Sequence, residues 1–83
     1  MVDVNGKRIR KNSYIKFITH AHMSDSLYTQ VLNVCEDKNY SYCTAWFKQK
    51  SSFNRYRYIA AFESRDVEVL TKKQVMLLIL ENN

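Results

Sequence analysis

The sequence predicts a mainly β fold, namely a five-stranded small barrel that follows an N-terminal turn or hairpin and precedes a C-terminal α-helix. Hydrophobic residues make up 46% of the 83 residues, and many are tyrosine, valine and isoleucine, which favour strands. Several segments alternate apolar and polar residues with the period of a half-buried strand. The chain has no proline and one glycine, unlike a disordered segment. We therefore expect a single domain over residues 1–83, with the barrel at about 5–70 and the helix at about 72–81.

The N-terminal residues predict a tight turn. Asn5 and Gly6 both tolerate the positive φ that a type I′ turn requires. Val2 and Val4 are expected to pair with Ile9 as a short hairpin, or else to anchor the N-terminus.

The first two strands differ in their regularity. After a polar turn, residues 14–19 alternate so that Ile15 and Phe17 point into the core. Residues 27–35 form the second strand, but their apolar members depart from strict alternation. This departure predicts a bulge or strong bend near residues 32–33, as a small barrel requires.

The third strand (residues 40–48) and the fourth (residues 55–62) each present two faces. In the third strand one face consists of Cys43, Ala45 and Phe47, and the other of Tyr42, Thr44 and Trp46. In the fourth strand one face consists of Tyr56, Tyr58, Ala60 and Phe62, and the other of Arg55, Arg57, Ile59 and Ala61. Because both faces of the third strand carry bulky residues, either could be buried, and one apolar surface would stay exposed.

The C-terminal part predicts a short turn, a last strand and a helix. Residues 63–66 are expected to form a single helical turn, and residues 67–69 the last strand. Thr71 followed by Gln74 is a capping box, so a helix should run from about Lys72 to Glu81.

This helix carries an uninterrupted apolar run over residues 75–80. A small barrel covers one side of a helix, so the other side calls for a second molecule. We predict that the helix serves homodimerisation or docking onto another protein. The expected interface residues are Val75, Met76, Leu77, Leu78 and Leu80.

The segment NGKRIRKNSYIKF at residues 5–17 resembles the entry into the SH3-like small barrel, the broad group that includes KOW and Tudor-like modules and many short phage or plasmid proteins. Residues 28–34 are similar to the second strand of that fold, and residues 64–70 to its turn and last strand. Asn12 stands where many members have glycine, and asparagine also enters the left-handed region. The resemblance implies a binding module that rarely hosts catalysis, and it does not choose the ligand.

Positive charge is unevenly distributed along the chain. Lysine and arginine total 13 against 8 acidic residues, which gives a net charge of +5. Residues 4–24 and 38–62 contain lysine and arginine and no carboxylate. Clustered positive charge attracts phosphates or an acidic protein surface. Nucleic acid and an acidic protein surface are therefore the two expected partners.

The second basic segment interleaves its charges with aromatic residues. Lysine and arginine neutralise phosphates, and exposed aromatic rings stack on unpaired bases. We predict a small nucleic-acid-binding protein that uses Lys48, Lys50, Arg55, Arg57, Tyr42, Trp46, Lys7, Arg8 and Arg10. The alternative is that Trp46 and the tyrosines fill the core while the charged residues only keep the protein soluble. The sequence leaves open DNA or RNA, and single or double strand.

A second hypothesis belongs to another class of function. A phage or mobile-element accessory protein could bind and inhibit a host protein or defence complex through the basic barrel surface or the apolar helix. A basic protein binds an acidic protein face as readily as nucleic acid. The sequence contains no catalytic motif and no glycine-rich phosphate loop, so we expect neither an enzyme nor a cofactor.

The cysteines and histidines give weaker signals. Cys35 and Cys43 are expected to be buried and reduced, although a hairpin with a three-residue turn would let them face each other and form a disulfide. His20 and His22 together with these cysteines form a poor zinc pattern, and we predict no metal site. The chain shows no signal-peptide run and no apolar run long enough for a bilayer, so we expect a cytoplasmic protein without membrane contact.

Overall fold

A computed structural model of the chain describes residues 1–19, 21–50 and 56–81, apart from the side chain of His22. The five strands in this part of the chain are β1 (Tyr14–Phe17), β2 (Thr29–Glu36), β3 (Ser41–Phe47), β4 (Tyr58–Phe62) and β5 (Val67–Leu70). One α-helix, α1 (Lys72–Glu81), follows β5, and two short 3-10 helices lie at Ala21–Met23 and Ser64–Asp66. The predicted mainly β class, with five strands and a C-terminal helix, is confirmed.

The strands form one antiparallel sheet in the order β4-β3-β2-β1-β5. The sheet is not closed, because β4 and β5 lie at its two ends and do not pair with each other over the described residues. The last strand nevertheless lies next to the first, with Tyr14 opposite Leu70 and Phe17 opposite Val67.

The core is built from the inward side of each strand. Ile15 and Phe17 of β1 are buried, as their alternation predicts. The ring centroids of Phe17 and Phe47 lie 5.1 Å apart in an edge-to-face arrangement, a geometry that aromatic pairs favour. The buried cluster comprises Ile9, Ile15, Phe17, Val31, Cys43, Ala45, Phe47, Phe62 and Val67.

A bulge bends β2 at the predicted place. The register between β2 and β3 shifts between Val31 and Asn33, so one extra residue is inserted on β2. The start of β2 pairs with β1, where Gln30 lies opposite Tyr14, and the part from Val31 onward pairs with β3. The bulge lies where the pairing of β2 passes from β1 on one side to β3 on the other.

The N-terminal residues form the predicted hairpin with a different turn. Val2 bridges to Arg8, and the N–H of Gly6 donates to the carbonyl oxygen of Asp3 at 3.1 Å. Gly6 has a φ of 80°, but among the described non-glycine residues Asn12 alone has a positive φ, at 73°. The type I′ prediction is therefore wrong, because that turn requires a positive φ at Asn5 as well.

The capping box at the start of α1 is confirmed. The N–H of Gln74 donates to Oγ1 of Thr71 at 3.1 Å, and the N–H of Thr71 donates to Oε1 of Gln74 at 2.8 Å. These reciprocal bonds satisfy donors that have no partner inside the helix, so the helix begins at Lys72. Over the described residues, no helix is long and apolar enough to cross a membrane.

The two cysteines are free and lie on opposite faces of the sheet. Cys35 lies opposite Tyr42 in the ladder between β2 and β3, whereas Cys43 lies opposite Val34. The disulfide alternative is wrong, because neighbouring ladder positions point to opposite sides. Cys43 is buried as predicted, and burial raises the pKa of its thiol to about 11. Cys35 is exposed, contrary to the prediction.

Candidate nucleic-acid interface

The structure decides which face of β3 points outward. Cys43, Ala45 and Phe47 are buried in the core. The alternation of the strand therefore turns Tyr42 and Trp46 to the other side, where Trp46 is 36% exposed. The alternative in which Trp46 fills the core is wrong, because the smaller residues of β3 occupy that space.

The outward side continues from β3 onto β4. Trp46 lies opposite Ile59, and Thr44 lies opposite Ala61. Ile59 is 55% exposed and lies beside the partly exposed Trp46, so the two form a continuous apolar surface. We call the surface formed by Tyr42, Thr44, Trp46, Ile59 and Ala61, together with Arg57 just before β4, the outer face.

Arg57 lies over the ring of Trp46. Its guanidinium carbon is 4.6 Å from the ring centroid, within the range of a cation–π interaction. Such a contact at an exposed site contributes about 0.5–1 kcal/mol, and it orients the guanidinium parallel or nearly parallel to an aromatic plane in many proteins. Here it brings together a positive charge and a partly exposed aromatic ring, which sequence reasoning predicted as members of one site.

Tyrosines extend the aromatic part of the outer face along β3. The ring centroids of Tyr40 and Tyr42 lie 5.6 Å apart. A hydrogen bond with Cys35 raises the pKa of Tyr42, and desolvation together with a hydrogen bond to Glu63 raises the pKa of Tyr40. Both phenols therefore keep their protons at neutral pH and remain hydrogen-bond donors.

Tyr40 and Glu63 were not predicted as part of the site. Tyr40 lies just before β3 and two positions from Tyr42. The side-chain period of two in a strand could therefore have placed both tyrosines on one side. The carboxylate of Glu63 lies 3.2 Å from Nε of Arg65. The outer face therefore has a basic end at Arg57 and an acidic residue beyond its other end.

The remaining basic residues of the predicted site are dispersed. Nζ of Lys48 lies 3.4 Å from Oδ2 of Asp25, so its charge is partly offset. Lys50 instead lines a groove of about 600 Å³, whose wall also includes Phe17 and Leu78. Arg55 lies outside the described residues.

The N-terminal cations lie beside another part of the sheet. Lys7, Arg8 and Arg10 are exposed on or next to the N-terminal hairpin. The N–H of Val4 in this hairpin donates to the carbonyl oxygen of Val67 at 3.2 Å, which places the hairpin along β5. Since β5 and β4 occupy opposite ends of the sheet order, these cations are not neighbours of Arg57 in the sheet.

The apolar run of α1 divides between the two sides of the helix. Val75 is 7% exposed on the side that packs toward β5, and Leu78 is half-buried at the groove. Val75 is therefore unsuitable as an interface residue, because its own domain already covers it. Met76, Leu77 and Leu80 are exposed, and so is Ile79, which was not predicted.

No metal-binding cluster of three or more histidine, cysteine or acidic residues occurs among the residues that the structure describes. His20 lies outside those residues, and the side chain of His22 is not described. The zinc pattern weighed for these two histidines therefore lies outside the described structure.

Comparison of the chain with protein-family models, with curated proteins and with solved structures found no match.

Proposed function

We propose that the protein is a non-enzymatic binding module of SH3-like barrel architecture that binds nucleic acid through its outer face. Three features support the barrel. Consecutive strands β1 to β4 are neighbours while β5 returns to β1, β2 is bent by a bulge, and a 3-10 turn joins β4 to β5. Strong bending of a small sheet is what a barrel of this size needs.

The observation that carries the nucleic-acid proposal is the contact between Arg57 and Trp46. A base that stacks on an exposed aromatic ring gains about 1–3 kcal/mol, and a guanidinium beside the ring is placed to bind the adjoining phosphate. The exposed Ile59 and the half-buried Tyr42 widen the apolar surface. Stacking of this kind needs unpaired bases, so the proposal favours single strands over duplexes.

The charge distribution supports the same ligand class. Within the described residues, the ion pairs of Lys48 with Asp25 and of Lys16 with Glu68 use two cations of the basic segments. Arg57 instead contacts an aromatic ring, and this contact does not neutralise its positive charge. An anionic ligand is thus attracted to the outer face near Trp46 more strongly than to Lys48.

Fluorescence anisotropy of labelled single-stranded and duplex DNA and RNA oligonucleotides, at two salt concentrations, tests the proposal. Trp46→Ala should weaken single-strand binding by about 1–3 kcal/mol, or about fivefold to over a hundredfold. Arg57→Ala should also lower the slope of log affinity against log salt by about 0.7 for a single strand. Arg65→Ala is the matched control, because it removes an arginine that is 80% exposed and lies outside the outer face.

Two results would count against this function. One is an absence of oligonucleotide binding by the wild-type protein at low salt. The other is binding that Trp46→Ala and Arg65→Ala reduce equally, since that would reflect total charge or folding and not the outer face.

A second candidate function is docking of a protein partner, including the predicted inhibition of a host protein. The observation that favours it is the exposed apolar side of α1, formed by Met76, Leu77 and Leu80. Leu77→Asp should abolish stoichiometric recovery of such a partner, whereas Lys73→Asp on the same helix should not. Equal recovery with both variants would remove α1 from the docking surface.

A further inference from the structure

β4 is an edge strand whose outer side can pair with a further β-strand. In the described part of the chain, β3 is the strand that pairs with β4, and the order places β4 at the end. Its five residues, YIAAF, include neither a charge nor a proline. Soluble proteins commonly protect an edge strand with lysine, proline or a bulge, because an unprotected edge accepts another strand. This edge strand carries none of these features.

The residues around β4 are complementary to themselves. If two copies of this strand pair antiparallel about Ala60, Ile59 lies opposite Ala61 of the second copy. In the same register, Arg57 lies opposite Glu63 of the second copy, because both residues are three positions from Ala60. The two-fold symmetry repeats this pair, so two pairs of opposite charges flank the apolar centre.

The charges also disfavour two other arrangements of the same strands. Pairing about Ala61 would place Arg57 opposite Arg65 and Ile59 opposite Glu63. A parallel arrangement in register would place Arg57 opposite the same residue of the second copy. Like charges directly opposite one another destabilise a strand pair, so the charges favour the register about Ala60 over both of these arrangements.

We propose that two copies of this chain form a symmetric dimer through antiparallel pairing of β4 with β4 about Ala60. Arg57, Ile59 and Glu63 share one side of the strand, because the side-chain period of a strand is two. The outer faces of the two copies then join into one surface that carries two Trp46 rings. One strand from each copy buries a small area, so the dimer is weak, with a Kd on the order of 10 μM or above.

The present contacts of Glu63 are compatible with this exchange. Its carboxylate lies 3.2 Å from Nε of Arg65, a side chain that is 80% exposed, and it also accepts hydrogen bonds from Tyr40 and, in a capping box, from the backbone N–H of Asp66. An exposed ion pair of this kind has little net stability, so Arg57 of a second copy can share or replace it.

Charge reversal provides the sharpest test, measured as the mass in solution over a concentration series. Arg57→Glu places glutamate opposite Glu63, and Glu63→Arg places arginine opposite Arg57. Each single variant should raise the dimer Kd about tenfold or more. An equimolar mixture of the two variants should dimerise again, because both opposing pairs become complementary in the heterodimer. Lys73→Glu is the control and should leave the Kd unchanged.

Disulfide trapping tests the register independently of charge. Residues directly opposite one another in an antiparallel pair have Cα atoms about 4.5–5.5 Å apart, which suits a disulfide, whereas diagonal neighbours are about 7–8 Å apart. In a Cys35→Ser background, Ala60→Cys should therefore form a covalent dimer under mild oxidation. Ala61→Cys should not, because its counterpart lies two positions away.

Three results would overturn the proposal. A wild-type mass that stays monomeric at several hundred micromolar, or single variants whose mixture fails to dimerise although circular dichroism shows both folded, excludes this interface. A dimer that Leu77→Asp dissociates while both charge reversals leave it intact assigns the contact to α1.

Discussion

The two edge strands of the sheet, β5 and β4, differ in whether another part of the chain covers them. Along β5, the N–H of Val4 donates to the carbonyl oxygen of Val67 at 3.2 Å, and Oδ2 of Asp3 accepts from the N–H of Val69 at 2.7 Å. Along β4, no strand of the described chain occupies the outer edge. The N-terminal hairpin thus protects one edge as part of the fold, so stability should depend on the β5 edge and association on the β4 edge.

Asp3 is the residue on which the covered edge should depend most. Its carboxylate is buried and accepts three backbone N–H groups, those of Asn5, Lys7 and Val69. Asp3→Ala leaves these donors without a partner, and we expect the free energy of unfolding to fall by about 2–4 kcal/mol in urea denaturation. The exposed Asp37→Ala should change it by less than about 0.5 kcal/mol. A small loss in Asp3→Ala would show that the hairpin does not hold β5.

The same carboxylate should make the covered edge sensitive to acid. Burial alone raises the pKa of Asp3, but the N–H groups of Val69, Lys7 and Asn5 and the charge of Lys7 lower it overall. Since the folded-state pKa is below the unfolded value of about 3.9, this stabilisation is fully present above that value and is lost as pH falls through the folded-state pKa.

Urea denaturation between pH 7 and pH 2.5 checks this dependence. The wild type should be more stable than Asp3→Asn at pH 7, and the difference should shrink below about pH 4. Asp37→Asn serves as the control variant. A difference from Asp3→Asn that stays constant down to pH 2.5 would contradict a lowered pKa at Asp3.

The turn that returns the hairpin should contribute a smaller amount. Gly6 has a φ of 80°, and a Cβ added there would meet no atom within 4 Å. The cost of Gly6→Ala is therefore a backbone cost of about 1 kcal/mol, measurable by thermal or urea denaturation. Gly6→Asn is the matched control and should cost less, because asparagine enters the left-handed region more readily. Equal losses in both variants would point to a cause other than φ.

The smallest effect on stability is expected at the edge that stays open. Ile59 of β4 is 55% exposed, so Ile59→Thr should change the free energy of unfolding by less than about 0.5 kcal/mol. Val67→Thr makes a comparable change on β5, where the side chain is fully buried, and should cost about 1–3 kcal/mol. Similar losses for the two variants in urea denaturation would mean that β4 is covered as well as β5.

Local patterns predicted much of the sheet and the helix. The broken alternation near Val31 located the bulge, and Thr71 with Gln74 located the start of α1. Each of these signals depends on residues a few positions apart, which a sequence displays directly. Alternation assigned Trp46 and Arg57 to one face of each strand, but the sequence left open whether that face is buried, and the packing of Cys43, Ala45 and Phe47 decides it.

Contacts between distant residues were not predictable in this way. The ion pair of Lys48 with Asp25 and the bond of Asp3 to Val69 depend on which segments become neighbours. Charge counting therefore overestimated how many cations share one surface, since it placed Lys7 and Lys50 with Arg57. The exposure of Cys35 was missed because the alternation of β2 resumes after the bulge with its phase changed.

The bond between Asp3 and Val69 spans 66 positions of the chain. The hairpins of β2, β3 and β4 join neighbouring segments and need little loop closure, whereas the hairpin at residues 1–8 reaches its final contacts only with β5. During synthesis the hairpin therefore leaves the ribosome before β5 and cannot make these contacts until β5 has followed. The hairpin is thus synthesised before β5 but is fixed only after β5 has formed, and until then both edges of the growing sheet can pair with another chain.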